Sequence, residues 1–329
     1  MALFERDFCY FFASSRVRQE NGTNGYFLIN RHQEPSFPAR MSQSRPIRNS
    51  EDTGSDFGRV LVVGDPGLCN HHIRAWKLAG VDARRISSFG KAIASNKNEK
   101  IYIDVCITNF TDRSAFIEDA IRSKSSIIIV EPVSDKCDTA KIHHKKHIRS
   151  SVSVLDPMKH HPLISRALQL ISEGKIGPPR ILKLEAKIYD RSLSDFSLFQ
   201  GLLNGVSAAR LLFRGTLVEK VFAKKLATEY SNFYVALLNF EKHSTCQLIV
   251  GDSKVEDKID FSTTGPNGMI SFDSSSESSD LPSNNSVEVM SKTFSDFLHQ
   301  RDLGSIDLEK YRIAEAIQNS AQLKKQISL

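Results

Sequence analysis

Between Arg59 and Pro132 the chain alternates continuous apolar runs with helix-like stretches, a pattern that few folds accept. Val60-Leu-Val-Val63 is the first such run, and it ends in Gly64-Asp65-Pro66-Gly67. A helical stretch, His71 to Ala79, follows and is stopped by Gly80. Val81 to Ile86 and Ile101 to Ile107 read as strands. Asp112 to Arg122 reads as a helix with Ala115, Ile117, Ala120 and Ile121 clustered, and Ile127 to Val130 is another wholly apolar run. Strands that alternate with helices pair in parallel through crossovers. Strands that are apolar on both faces need cover on both faces. The pattern predicts an α/β fold: a Rossmann-like, doubly wound parallel sheet over residues 58–153.

Residues 154–329 follow another rhythm. A helix from Pro162 to Glu173 ends at Gly174. Arg180 to Ile188 then alternates apolar with polar, as a strand of an open-faced antiparallel sheet does. Further strands are expected over Val218–Leu226, Phe233–Phe240, Thr245–Val250, Lys258–Thr263 and Met269–Phe272, with a Ser/Asn-rich loop at Ser274–Ser286 and a closing helix over Asp307–Gln326. This second part reads as an α+β domain with a mainly antiparallel sheet.

Residues 1–57 stand apart. They contain no lysine, carry Arg6, Arg16, Arg18, Arg31, Arg40, Arg45 and Arg48, and show no sustained periodicity. Three readings are open: a leader that packs little, a transit peptide (against which Glu5, Asp7, Glu20 and Glu34 count), or an extension ahead of a start at Met41. The apolar runs are strand-length, far from the roughly 20 residues of a membrane span, so no membrane partner is expected. Five scattered cysteines without a C-x-x-C argue against a disulfide framework and against a zinc site, and for a reducing, cytoplasmic setting. Lys and Arg number 44 against 38 acids, net +6. Part of the excess is the run Lys141 to Arg149, which lacks the aromatic residues on which bases stack. It reads as a solvated helix face or loop, and no nucleic-acid partner is expected.

Four stretches in order resemble the Gfo/Idh/MocA-like oxidoreductases, NAD(P)-dependent dehydrogenases of sugars, inositols and related polyols. They are the glycine turn Gly64–Gly67 with His72 beyond it, Asp104–Asn109 with Ile127–Pro132, His161-Pro162 with the turn Gly174-Lys-Ile-Gly177, and Gly265-Pro-Asn-Gly268 with the C-terminal helix. The resemblance covers about residues 58–329. It implies NAD or NADP as cofactor, held by Gly64, Pro66, Gly67 and Leu68 at the first turn, Thr108 and Asn109 at a later strand end, and Glu131. It also implies a small polyol- or sugar-like ligand and a homodimer through the open face of the antiparallel sheet.

The departures bear on chemistry. The fingerprint Gly-x-Gly-x-x-Gly is here Gly64-x-Pro66-x-x-Cys69. Pro66 removes a backbone donor. About 20 residues on, Ile86-Ser-Ser-Phe89 offers no carboxylate for a ribose, and Arg84 and Arg85 read as solvated strand-end residues. The family's lysine of Glu-Lys-Pro and its Asp-x-x-x-His pair fall at Pro132, Gln200 and Asn204, none of which moves a proton near neutral pH. His160 and His161 are the substitutes the sequence offers. The expectation is a cleft with no lysine at its centre and no group there titrating near pH 7, hence weak or absent dehydrogenase activity. A non-catalytic sensor of a dinucleotide or sugar, or a scaffold subunit, is the alternative. Neither catalytic nor metal-binding residues are assigned.

Overall fold

The computed structural model describes residues 59–87, 101–123, 125–147, 152–190, 193–254, 258–272, 286–300 and 306–329. The leader and most of the Ser/Asn-rich stretch lie outside them.

The first layer is a parallel sheet in the order β2-β1-β3-β4-β5. Its strands are β1 (Arg59–Gly64), β2 (Ala83–Ile86), β3 (Ile101–Cys106), β4 (Ser126–Val130) and β5 (Val152–Leu155). Helices α1 (Pro66–Leu78), α2 (Phe110–Arg122) and α3 (Cys137–His147) make the crossovers. Pro66 starts α1 where a missing N–H costs nothing, and Asn109 caps α2 by accepting from the Asp112 N–H at 3.0 Å. The boundary expected at 153/154 falls inside β5. The basic run is helical as far as His147, but His143 is buried rather than solvated: the spacing of Cys137, Ala140 and His143 turns all three inward, while Lys141 stays exposed and pairs with Asp138.

A 3₁₀ turn (Pro157–His160) and α4 (Pro162–Ser172) lead into the second layer. Its sheet is formed by β6 (Ile181–Tyr189), β7 (Val218–Ala227), β8 (Asn232–Phe240), β9 (Ser244–Ser253), β10 (Lys258–Gly265), β11 (Gly268–Phe272) and β12 (Ile327–Ser328). The order is β11-β10-β6-β9-β8-β7-β12, and only β6 and β9 pair in parallel. α5 (Asp195–Leu212) lies between the sheets and is buried over nearly its whole surface. Gly201 permits its close approach to β9, since a Cβ there would stand 2.1 Å from the Gly251 carbonyl oxygen. Two last helices return to the first layer. In α6 (Ser286–Gln300), Phe294 stacks on Trp76 with ring centres 3.9 Å apart. In α7 (Leu308–Leu323), the Tyr311 hydroxyl accepts from the Val133 N–H at 2.9 Å. Both layers belong to one compact unit, Gly54–Leu329.

Candidate ligand cleft

In a doubly wound sheet the ligand crevice opens at the carboxyl ends of the strands, where the strand order reverses. Here that point lies between β1 and β3. Gly64 turns the chain at φ 133°, and a Cβ there would stand 2.3 Å from the Cys106 carbonyl carbon. The next residue, Asp65, donates its N–H to the Cys106 carbonyl at 2.9 Å. Its carboxylate makes no cap on α1; it accepts from the Thr108 N–H (2.7 Å) and hydroxyl (2.6 Å), spanning the crevice. Gly67 and Leu68 follow in the first turn of α1, and the Cys69 thiol is buried beneath. Just beyond β3, Phe110 packs on Phe196 (5.4 Å) and Phe199 (5.9 Å) of α5. Behind it the buried Arg113 donates to the carbonyls of Val105, Ile107 and Val130, tying the ends of β3 and β4.

Six of the seven residues expected to hold a dinucleotide therefore sit at one crevice mouth, and Glu131 does not. Pro66 leaves the start of α1 one N–H short, and the Asp65 carboxylate is taken up by Thr108. Arg84 and Arg85 are exposed on β2, as the sequence reading has them.

Glu131 faces a different space, a cavity of about 640 Å³ walled also by Asp156, Lys159, Ser207, Arg210 and Lys310. Lys310 of α7 is fully buried, with its ammonium between the Glu131 carboxylate and Asp156 (2.8 Å). Asp156 also accepts from the Ser207 hydroxyl at 2.6 Å and the Met158 N–H at 3.0 Å. Two carboxylates thus share one ammonium. Burial opposes the charge on Asp156, but Lys310, Ser207 and Met158 outweigh it and hold its carboxyl below the ordinary range. Burial likewise works against the Lys310 ammonium, and the two carboxylates overcome it and hold its pKa above the ordinary range. The excess negative charge falls on Glu131, which burial raises to about 7 against the pull of Lys310. Arg210 reaches Asp307 at 3.3 Å through Nε, and its buried Nη1 has no partner.

This corrects the expectation of a cleft without a lysine or a group near neutrality. Lys310 stands there, brought from a helix 179 residues downstream of Glu131, and Glu131 itself titrates near 7. Among the described residues no histidine lines the cavity with them. His160 is paired with Asp296 of α6 at 2.6 Å. His161 starts α4, buried, and desolvation depresses it to about 4. Gln200 lies against the strand end, its amide nitrogen 3.5 Å from the Glu131 carbonyl, and Asn204 is buried one turn further along α5.

The strand orders and the helix between the sheets define the fold of the Gfo/Idh/MocA-like oxidoreductases. Three solved structures illustrate it. A scyllo-inositol dehydrogenase from Lactobacillus casei, with bound NAD(H) and scyllo-inositol, matches at TM-score 0.63 and 14% identity, over 83% of this chain and 99% of that one. A myo-inositol dehydrogenase from Corynebacterium glutamicum matches at 0.63 and 13%, over 83% and 99%. An oxidoreductase from Agrobacterium radiobacter, in complex with NAD+, L-tartaric acid and magnesium, matches at 0.62 and 16%, over 82% and 98%. No family model matches the sequence, and no curated protein matches it. The chain is thus a divergent example of this fold. Among the described residues no helix is long and apolar enough to cross a membrane.

Proposed function

We propose that this chain keeps the oxidoreductase fold with weak or absent hydride transfer and works as a ligand-binding regulator or scaffold subunit. The observation that carries the reading is the Glu131–Lys310–Asp156 cluster. The lysine at the cleft is held by two carboxylates, so it is not free to polarise a substrate oxygen, and Gln200 and Asn204 beside it shuttle no proton. NAD is what the two solved proteins of this fold described above hold, and the Asp65–Thr108 bridge and Pro66 weigh against the same use here. The cavity suits a small hydroxylated anion, a sugar acid or sugar phosphate: Arg210 Nη1 lacks a partner, and Lys159 and Arg214 add positive charge to its walls. Assembly as a homodimer through the open face of the second sheet is part of the proposal, supported by half-buried Phe222, Leu237 and Ile249 on that face.

The test is a thermal-shift series on the full chain with NAD(H), NADP(H), inositols, sugar acids and sugar phosphates. A ligand at 100 times its Kd stabilises by about 2.7 kcal/mol. A shift with an anionic sugar, abolished in Arg210→Ala, is expected. A shift with dinucleotide and inositol together, accompanied by turnover, defeats the proposal.

A further inference from the structure

We propose that Cys69, His72, Asp104 and Cys106 form a buried site for one divalent transition-metal ion of the zinc type. The site lies inside the first layer, between α1 and β3, and is separate from the ligand cavity. Cys69 and His72 are spaced i, i+3 on the inward face of α1, and both are buried. Asp104 and Cys106 are spaced i, i+2 on β3, so they point to one face of the sheet. That face meets α1. One ligand atom each from His72, Asp104 and Cys106 lies within 4.8 Å of the others. The Cys69 thiol interacts with the Cys106 thiol from the facing helix and is the fourth donor, which joins the other three by rotating inward. Zinc bonds of about 2.0–2.3 Å place neighbouring ligand atoms about 3–4 Å apart, a contraction within reach of side-chain rotation.

The second observation is Asp104 itself. One carboxylate oxygen accepts from the Trp76 indole N–H at 2.7 Å and lies 2.8 Å from His72 Nδ1. The other oxygen, wholly buried, has no hydrogen-bond partner. An unpaired buried carboxylate oxygen is costly, and one in the middle of an otherwise apolar strand calls for a positive partner. A cation beside it answers the cost. The donor set decides which: two thiols and an imidazole favour zinc, cobalt or iron over magnesium or calcium. Trp76, stacked on Phe294, and the edge of the same ring against His72 at 5.6 Å fix the orientation of the ligands from outside. Binding is a ligand exchange without electron transfer: the ion enters and the protons on the ligating thiols and imidazole leave to solvent.

The test adds cobalt(II) to the full, reduced, metal-free chain. Near-ultraviolet thiolate-to-cobalt charge transfer and an intense tetrahedral visible band, saturating near about one ion per chain and lost on adding zinc, are expected. Cys106→Ser should abolish the charge-transfer band, and Cys137→Ser, outside the site, should retain it. If Cys106→Ser fails to fold, Asp104→Asn, which keeps the side-chain shape, should weaken retention of zinc through desalting at least tenfold. No cobalt band in the wild-type chain overturns the proposal. So does a band that survives in folded Cys106→Ser, or a native Cys69–Cys106 disulfide in place of bound metal.

Discussion

At the end of β4, Glu131 and Asp156 share the Lys310 ammonium, and Asp156 is further held by Ser207 and the Met158 N–H. In the middle of β3, Asp104 has Trp76 and His72 on one oxygen and no partner on the other. Both clusters are buried, and both put acids where apolar residues pack around them. The first is nearly complete within the chain and joins α7 to the first sheet. The second is completed only by something added. Burial alone does not mark a site; what remains unpaired after the chain has folded does.

The largest effect separating the two should come from Lys310→Met. Removing the ammonium leaves two carboxylates buried together, which typically costs about 3–5 kcal/mol, read from chemical denaturation at pH 7.5. Glu131→Gln keeps one ammonium against one carboxylate and should stay within about 1 kcal/mol of the parent. Equal losses in the two variants would show that the cluster does not act as a charge-balanced unit. Trp76→Phe comes next. It removes one of the two donors to Asp104 and should cost about 1–3 kcal/mol in the metal-free chain. A loss as large as that of Lys310→Met would make the Asp104 group a structural joint like the other.

A smaller, pH-dependent effect sharpens the contrast. Burial raises Glu131 from 4.5 to about 7, so between those values the folded chain holds a proton that the unfolded chain has released. Its contribution is full below about pH 4.5 and is lost as pH rises towards 7. Burial lowers His161 from 6.5 to about 4, so its contribution runs the other way, with stability rising with pH between 4 and 6.5. The two offset one another in the parent. In Glu131→Gln only the second remains, so the variant should gain on the parent as pH rises from 4.5 to 7, by at most about 1.4 kcal/mol per pH unit. A pH-independent difference would show that Glu131 does not carry the proton.

The sequence made the framework plain where each element's pattern was local. Val60–Val63, Ile101–Cys106 and Ile127–Val130 lie in strands of the parallel sheet, and Arg180–Ile188 alternates as expected. α5 shows no period of its own in the sequence, because a helix buried all round has no polar face to give it one. The site was harder still. Lys310 looks like one more surface lysine until α7 docks beside the segment that follows β4, where Glu131 and Val133 stand. Cys69 and His72 stand 35 and 34 residues from Asp104 and Cys106, so reading ligand spacing along the chain finds no metal site. Both clusters are products of tertiary packing.

The central proposal is that the fold persists while hydride transfer is weak or absent. A concentrated sample of the full chain, mixed with NAD+ or NADP+ and each of a panel of inositols and sugars, tests it through the absorbance of reduced nicotinamide. General acid–base assistance is worth about 10²–10⁴-fold, so no reduced cofactor above background is predicted. Steady production of NADH or NADPH with any one polyol, abolished in Lys310→Met that remains folded, would contradict the account and make Lys310 a working group of a dehydrogenase.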